Sequence, residues 1–145
     1  MSAPVVVGVG SPFGGDRAGW AVVARLGELD GVRVEALDRP GPGLLNVLEG
    51  ATAAVIVDAV RSDAVPGTLH RLTRLDQLPA ASPASSHGLG LAEALALGER
   101  LGQLPPWVVI GVEAGSDALP GPDALEQAAE AVRRELAAFG DAGAR

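Results

Sequence analysis

Three stretches of the chain are apolar almost without interruption, and they set its plan. Residues 5–9 (Val-Val-Val-Gly-Val), 53–57 (Ala-Ala-Val-Ile-Val) and 107–112 (Trp-Val-Val-Ile-Gly-Val) are short and rich in β-branched side chains. Runs of this kind suit strands buried on both faces of a sheet. The first is bounded by Pro4 and a Gly/Ser/Pro loop, and the second ends in Asp58. Residues 32–37 set Val32, Val34 and Ala36 against Arg33, Glu35 and Leu37, the period of a further strand. After the Pro66-Gly67 turn, residues 68–72 predict a weaker strand, with Arg71 and Arg74 marking a sheet edge.

Between the strands the spacing becomes helical. Residues 18–29 carry Val22, Val23 and Leu26 on one side, and 44–48 form a short helix after Arg39-Pro40-Gly41-Pro42-Gly43. Residues 76–86 are rich in Pro, Ala and Ser and predict a loop; 88–101 predict a helix with Leu91, Leu95 and Leu101 inward. The clearest helix is 122–139. Pro122 suits its first turn, Asp123 and Glu126 lie near the positive end of its dipole, and Leu125, Ala129, Val132, Leu136 and Phe139 make one apolar stripe. Arg133 and Arg134 then fall on a solvated face, and residues 140–145 are expected to fray. Strands alternating with helices imply right-handed βαβ units: an α/β domain, residues 1–145, whose mostly parallel sheet is covered on both faces.

Composition narrows the chemistry. Apolar residues are 48% and charged residues 20% of the 145 residues, enough for a real core and too apolar for a disordered chain. The net charge of −7 is the wrong sign for a surface that binds nucleic acid. Cysteine and lysine are absent, which excludes thiolate nucleophiles, disulfides, Cys-ligated zinc, Schiff bases and a Walker lysine. The first residues lack a basic region and a long apolar run, so the expectation is a cytoplasmic protein with no signal peptide or membrane span.

Carboxylates, serines, arginines and two histidines remain. Asp16 precedes a helix, where a plain N-cap is the simple alternative. Asp58 ends a strand, where a cap or turn role competes, and His87 precedes another helix and could be merely exposed or capping. All three nonetheless belong at the carboxyl edge of the sheet, where ligands collect in open α/β folds. If strands one and three are neighbours with helices on opposite faces, Asp16 and Asp58 flank the switch point. Two carboxylates and an imidazole form an O,O,N donor set compatible with nickel, zinc, iron or manganese. His70 reads as a surface residue, and Trp107 as core or as packing against the carboxyl-edge loops. Gly8-Val9-Gly10 begins like a dinucleotide fingerprint, but Phe13 stands where the third glycine belongs.

In order along the chain, these segments resemble the hydrogenase maturation protease family. The first is Gly8-Val9-Gly10-Ser11-Pro12-Phe13-Gly14-Gly15-Asp16-Arg17-Ala18-Gly19-Trp20. Asp38 follows, ahead of Pro40-Gly41-Pro42-Gly43-Leu44-Leu45, then Val55-Ile56-Val57-Asp58-Ala59-Val60 with Pro66-Gly67-Thr68. Ser86-His87-Gly88-Leu89-Gly90-Leu91 and Val109-Ile110-Gly111-Val112-Glu113 complete the set.

The resemblance implies a phosphorylase/hydrolase-like, three-layer α/β/α sandwich. Its five-stranded sheet would run in the order 2-1-3-5-4, with one antiparallel edge strand. It implies an aspartyl-type endopeptidase that trims the C-terminus of the [NiFe] hydrogenase large-subunit precursor. Asp16, Asp58 and His87 would be both the catalytic and the metal-contacting residues, with nickel supplied by the precursor and not permanently bound. Nucleic acid and membrane are not implied as partners. One departure stands out: Gly15 occupies a place where the family often has a second acid, and Arg17 follows Asp16. Gly15 motivates an alternative, a catalytically inactive sensor of metal insertion; Gly8-x-Gly10 motivates a third, a small nucleotide-binding domain.

Overall fold

The three apolar runs become the middle of one sheet. In the computed structural model, which describes residues 2–11, 14–39, 41–78, 90–115 and 118–143, they form β1 (Val5–Gly10), β3 (Ala54–Val60) and β5 (Trp107–Glu113). The two strands with polar positions, β2 (Arg33–Asp38) and β4 (Leu69–Leu72), take the edges. The order is β2-β1-β3-β5-β4, parallel throughout except for the β4–β5 pair. This is the mixed three-layer sandwich that the family resemblance implied.

Alternation along the strands divides the core in two. Val6, Val55, Val57, Val108, Ile110 and Val112 face α1 (Ala18–Leu26) and α4 (Pro122–Gly143). Val5, Val7, Val9, Ala54, Ile56 and Val109 face α2 (Gly41–Leu48) and α3 (Leu91–Arg100). Each such side chain, fully removed from water, contributes about 1.5–3 kcal/mol. The helices α1 and α2, which leave β1 and β2, therefore lie on opposite faces. Because β1 pairs with both β2 and β3, the crevice opens between the carboxyl ends of β1 and β3.

Several boundaries differ from the pattern's expectation. The helix predicted over 18–29 stops at Leu26, where Gly27 turns the chain at φ 64° and returns its N–H to the Val23 carbonyl. Leu29 is then free to pair with Val32 in an isolated bridge. The short helix begins at Gly41 and not at 44, and β3 continues through Asp58 to Val60. The segment predicted as loop over 76–86 begins with a 3-10 turn, Leu75–Gln77, and residues 79–89 lie outside the described part. The helix predicted over 88–101 is seen from Leu91 to Arg100.

Of the tail expected to fray over 140–145, residues 140–143 are instead the last turn of α4, which runs on to Gly143, and 144–145 lie outside the described residues. Gly140 does not adopt the left-handed φ that ends a helix. The predicted stripe of α4 packs as expected, and Arg133 pairs on the exposed side with Glu126 and Glu130. Among the described residues no helix is long and apolar enough to cross a membrane.

The start of α1 lies directly on the strands. A Cβ at Gly19 would meet the carbonyl oxygens of Val9 and Val57, the latter at 2.5 Å. Backbone on both sides cannot yield as a side chain would. Gly19→Ala is expected to cost about 2–4 kcal/mol, read as a lowered urea midpoint; an unchanged midpoint would mean that α1 does not sit this close.

Candidate active site

Asp16 comes from a loop that closes on itself. The Ser11 N–H donates to the Asp16 carbonyl at 3.3 Å, and the Ser11 hydroxyl donates to Asp16 Oδ2 at 3.1 Å. The residue lies in a 3-10 turn, Gly14–Arg17, and Arg17, not Asp16, is the N-cap of α1. The capping alternative for Asp16 therefore fails. Its second oxygen, Oδ1, is 2.7 Å from an Nη2 of Arg61.

Asp58 lies within β3, on the side of the sheet shared with Ala54 and Ile56. It is half-buried and borders a cavity of about 80 Å³ whose other walls are Val60, Leu72, Leu78, Gly90, Leu91 and Val109. Apolar surroundings penalise its ionised form. Burial pushes the carboxyl up to about 7, helped by the negative charge of Asp16 and opposed by the Ala59 N–H and by Arg61. The structure thus brings Asp16 and Asp58 within each other's field at the switch point, with the Arg61 guanidinium acting on both. His87, the third expected residue, lies outside the described residues, and among these no group of three metal-ligating side chains forms. Two adjacent carboxylates are hard oxygen donors and fit one side of a divalent cation's shell.

Gly15 has a packing explanation. A Cβ there would meet the Ala114 Cβ at 2.9 Å and the carbonyls of Ala118 and Gly115 at 3.2 and 3.3 Å. The turn leaves no room for the second acid that the family often carries. Gly8 is likewise committed to packing inside the chain. Its Cβ would meet the Gly19 carbonyl at 2.5 Å, and one at Gly10 would strike the Asp16 carbonyl. Those glycines admit α1, not a pyrophosphate.

Beside this pair lies a cluster that the sequence pattern did not reveal. Glu113 ends β5 with its side chain only 2% exposed. Its oxygens accept the Ser62 hydroxyl at 2.6 Å and the Ser62 N–H at 2.7 Å, and His70 Nε2 lies 2.9 Å away. Burial raises the Glu113 pKa, but these bonds outweigh it and hold the carboxyl below its usual range. His70 is therefore no simple surface residue: β4 runs antiparallel and places it opposite Gly111, two places from Glu113. The signal available in the sequence was a lone acid closing an apolar run. Trp107 starts β5 and packs on the α2/α3 side, at the end of the sheet away from the site.

The hydrogenase maturation protease (HycI) sequence profile matches residues 39–138. The chain belongs to the hydrogenase maturation protease family. The matched part begins after the Asp16 loop, but the solved members cover that loop too. The hydrogenase maturating endopeptidase HybD from E. coli superposes with a TM-score of 0.72 at 28% identity, over 97% of this chain and 94% of that one. An E. coli endopeptidase solved in solution gives 0.74 at 27%, over 90% and 89%. The HycI protease from Thermococcus kodakarensis KOD1, at 22% identity over 96% and 93%, shares the fold with a TM-score of 0.63. None of the curated proteins matches the sequence. The family is one of hydrogenase maturation proteases, and both E. coli relatives are described as endopeptidases, so this member is a peptide-bond hydrolase.

Asp58 and Glu113 give the protease two stability predictions. With its folded pKa near 7, Asp58 keeps a proton that the unfolded chain has already lost, so stability falls as pH rises from about 4 to 7. The full cost above that window is about 4 kcal/mol. Asp58→Asn is expected to be the more stable protein by about 3–4 kcal/mol at pH 8 and equal near pH 4, measured by urea denaturation at both pH values. Curves that coincide throughout would remove the burial argument. Glu113 is the opposite case. Its depressed pKa stabilises the fold above the ordinary carboxylate range, and that contribution disappears as pH falls through the folded value. Glu113→Gln is expected to lose about 2 kcal/mol at pH 7, with the wild type approaching it in acid; a constant gap would assign the loss to packing.

Proposed function

We propose that this protease removes the C-terminal extension of the [NiFe] hydrogenase large-subunit precursor in the cytoplasm, after nickel insertion. Asp16, Asp58 and His87 contact the nickel that the precursor carries, so the metal arrives with the substrate and is not held in the resting protein. The observation that carries this reading is the pairing of Asp16 and Asp58 at the switch point, from separate segments of chain. The two acids repel one another, and a divalent cation relieves that repulsion better than any neutral ligand could.

The chemistry then divides among the residues. An ionised carboxylate at this crevice, from Asp16 or Asp58, can accept a proton from water in an aspartyl-type hydrolysis. Asp16, fixed by Ser11, supplies a second oxygen whose position is set before substrate arrives. His87 passes a proton to the departing amine. Nickel held by Asp16, Asp58 and His87 would polarise the group attacked and would restrict cleavage to loaded precursor, making the cut a checkpoint.

The alternative of an inactive sensor rested on Gly15. Crowding by Ala114, Gly115 and Ala118 gives that glycine a packing reason that does not depend on a lost activity.

Precursor incubated with and without nickel, followed by mass spectrometry of the C-terminal fragment, tests the proposal. Fragment is expected from the loaded form alone, and Asp16→Ala, Asp58→Ala and His87→Ala are each expected to slow its release by at least about a hundredfold. Equal cleavage of both forms, or full activity in all three variants, would overturn it. Binding of loaded precursor with no fragment would leave the sensor standing.

A further inference from the structure

Asp16 is not an open ligand in the resting protein. Ser11 takes Oδ2 at 3.1 Å and Arg61 takes Oδ1 at 2.7 Å, so both oxygens are engaged. We infer that Arg61 is a gate on Asp16: its guanidinium occupies the oxygen that a metal would take, and a divalent cation is needed to displace it. The inference rests on the proposed function, because the cation in question is the one the precursor brings.

The geometry favours a gate over a permanent brace. The Arg61 and Asp16 side chains are 48% and 39% exposed, and an ion pair so open to water is weak enough to exchange. The backbone beneath it is firmly held. Ser62, the next residue, gives both its N–H and its hydroxyl to the buried Glu113. Displacing the guanidinium therefore needs rotation of the arginine side chain and no shift of that backbone. Space for it exists alongside: a cavity of about 250 Å³ is lined by Arg61, Ser62, His70, Val60, Leu72 and Gln77.

Charge explains the selectivity. With both acids ionised, two carboxylates and one guanidinium carry a net charge of −1. A monovalent cation that replaced Arg61 would leave that sum unchanged. A dication brings the two acids to neutrality and is held by both, while the released guanidinium is solvated. Arg61 therefore sets a threshold that monovalent cations and polar peptide groups do not pass. Arg61 is in this sense a specificity-determining residue and not a catalytic one.

Calorimetric titration of the intact, precursor-free protein with Ni²⁺ tests this directly. Arg61→Gln is expected to bind Ni²⁺ at least about tenfold more tightly than the wild type, because the competing charge is gone. Arg61→Lys keeps the charge and is expected to stay within about threefold of the wild type; a residue that only shaped the loop would move both variants together. With loaded precursor, Arg61→Gln is expected to lower KM. Equal Ni²⁺ affinity in wild type and Arg61→Gln, or no measurable binding by either, would overturn the gate. Tighter Ni²⁺ binding by Arg61→Gln with no cleavage of loaded precursor by the wild type would uphold the gate and reject the proposed function instead.

Discussion

The contact of α1 with the ends of β1 and β3 is the constraint on which the rest depends. Gly19 lies against the carbonyls of Val9 and Val57, closer than any side chain would allow. That approach seats α1 on one face of the sheet, while α2 must cross to the other before the chain enters β3. The crevice between the strand ends is the unavoidable result. The loop that enters α1 must fold tightly to reach Gly19, and in doing so it fixes Asp16 at the crevice.

Electrostatics then acts in two opposite ways within a few residues. Asp58 borders an apolar cavity, feels the charge of Asp16, and is destabilised as an anion. Glu113 is more deeply buried, yet three hydrogen-bonding groups hold it ionised. Burial alone does not decide the protonation of a carboxyl; the donors around it do. The acid left short of donors is the one proposed to react, and the acid fully supplied with them holds the local frame. Ser62 links the two regions, since it binds Glu113 and follows directly on the arginine that binds Asp16. An active site that keeps one acid poorly solvated sacrifices some stability for reactivity.

Much of the architecture was legible in the pattern of apolar positions. The strands over 5–9, 53–57 and 107–112 were evident because both sheet faces are covered, which leaves no polar position to break the run. Strand order was not legible from periodicity, and it entered through the family resemblance. Helix ends were less clear, because Gly27 ends one helix and Gly140 does not end another. Asp58 stood out as the acid that ends an apolar run, and Asp16 as the acid just before a helix. Ser62 and Arg61 gave no such sign, since polar residues after a strand are ordinary.

The chain's own residues determined its element types, its covered parallel sheet and the chemistry closed to it. Those properties are local, since they follow from side-chain period, turn residues and the absence of cysteine and lysine. Tertiary structure alone decided which polar groups meet. Arg61 reaches Asp16 across 45 residues of sequence because β1 and β3 are neighbours, and His70 reaches Glu113 because β4 runs antiparallel. Charge coupling and burial depend on distances through space, and no pattern along a chain contains those until the sheet has assembled.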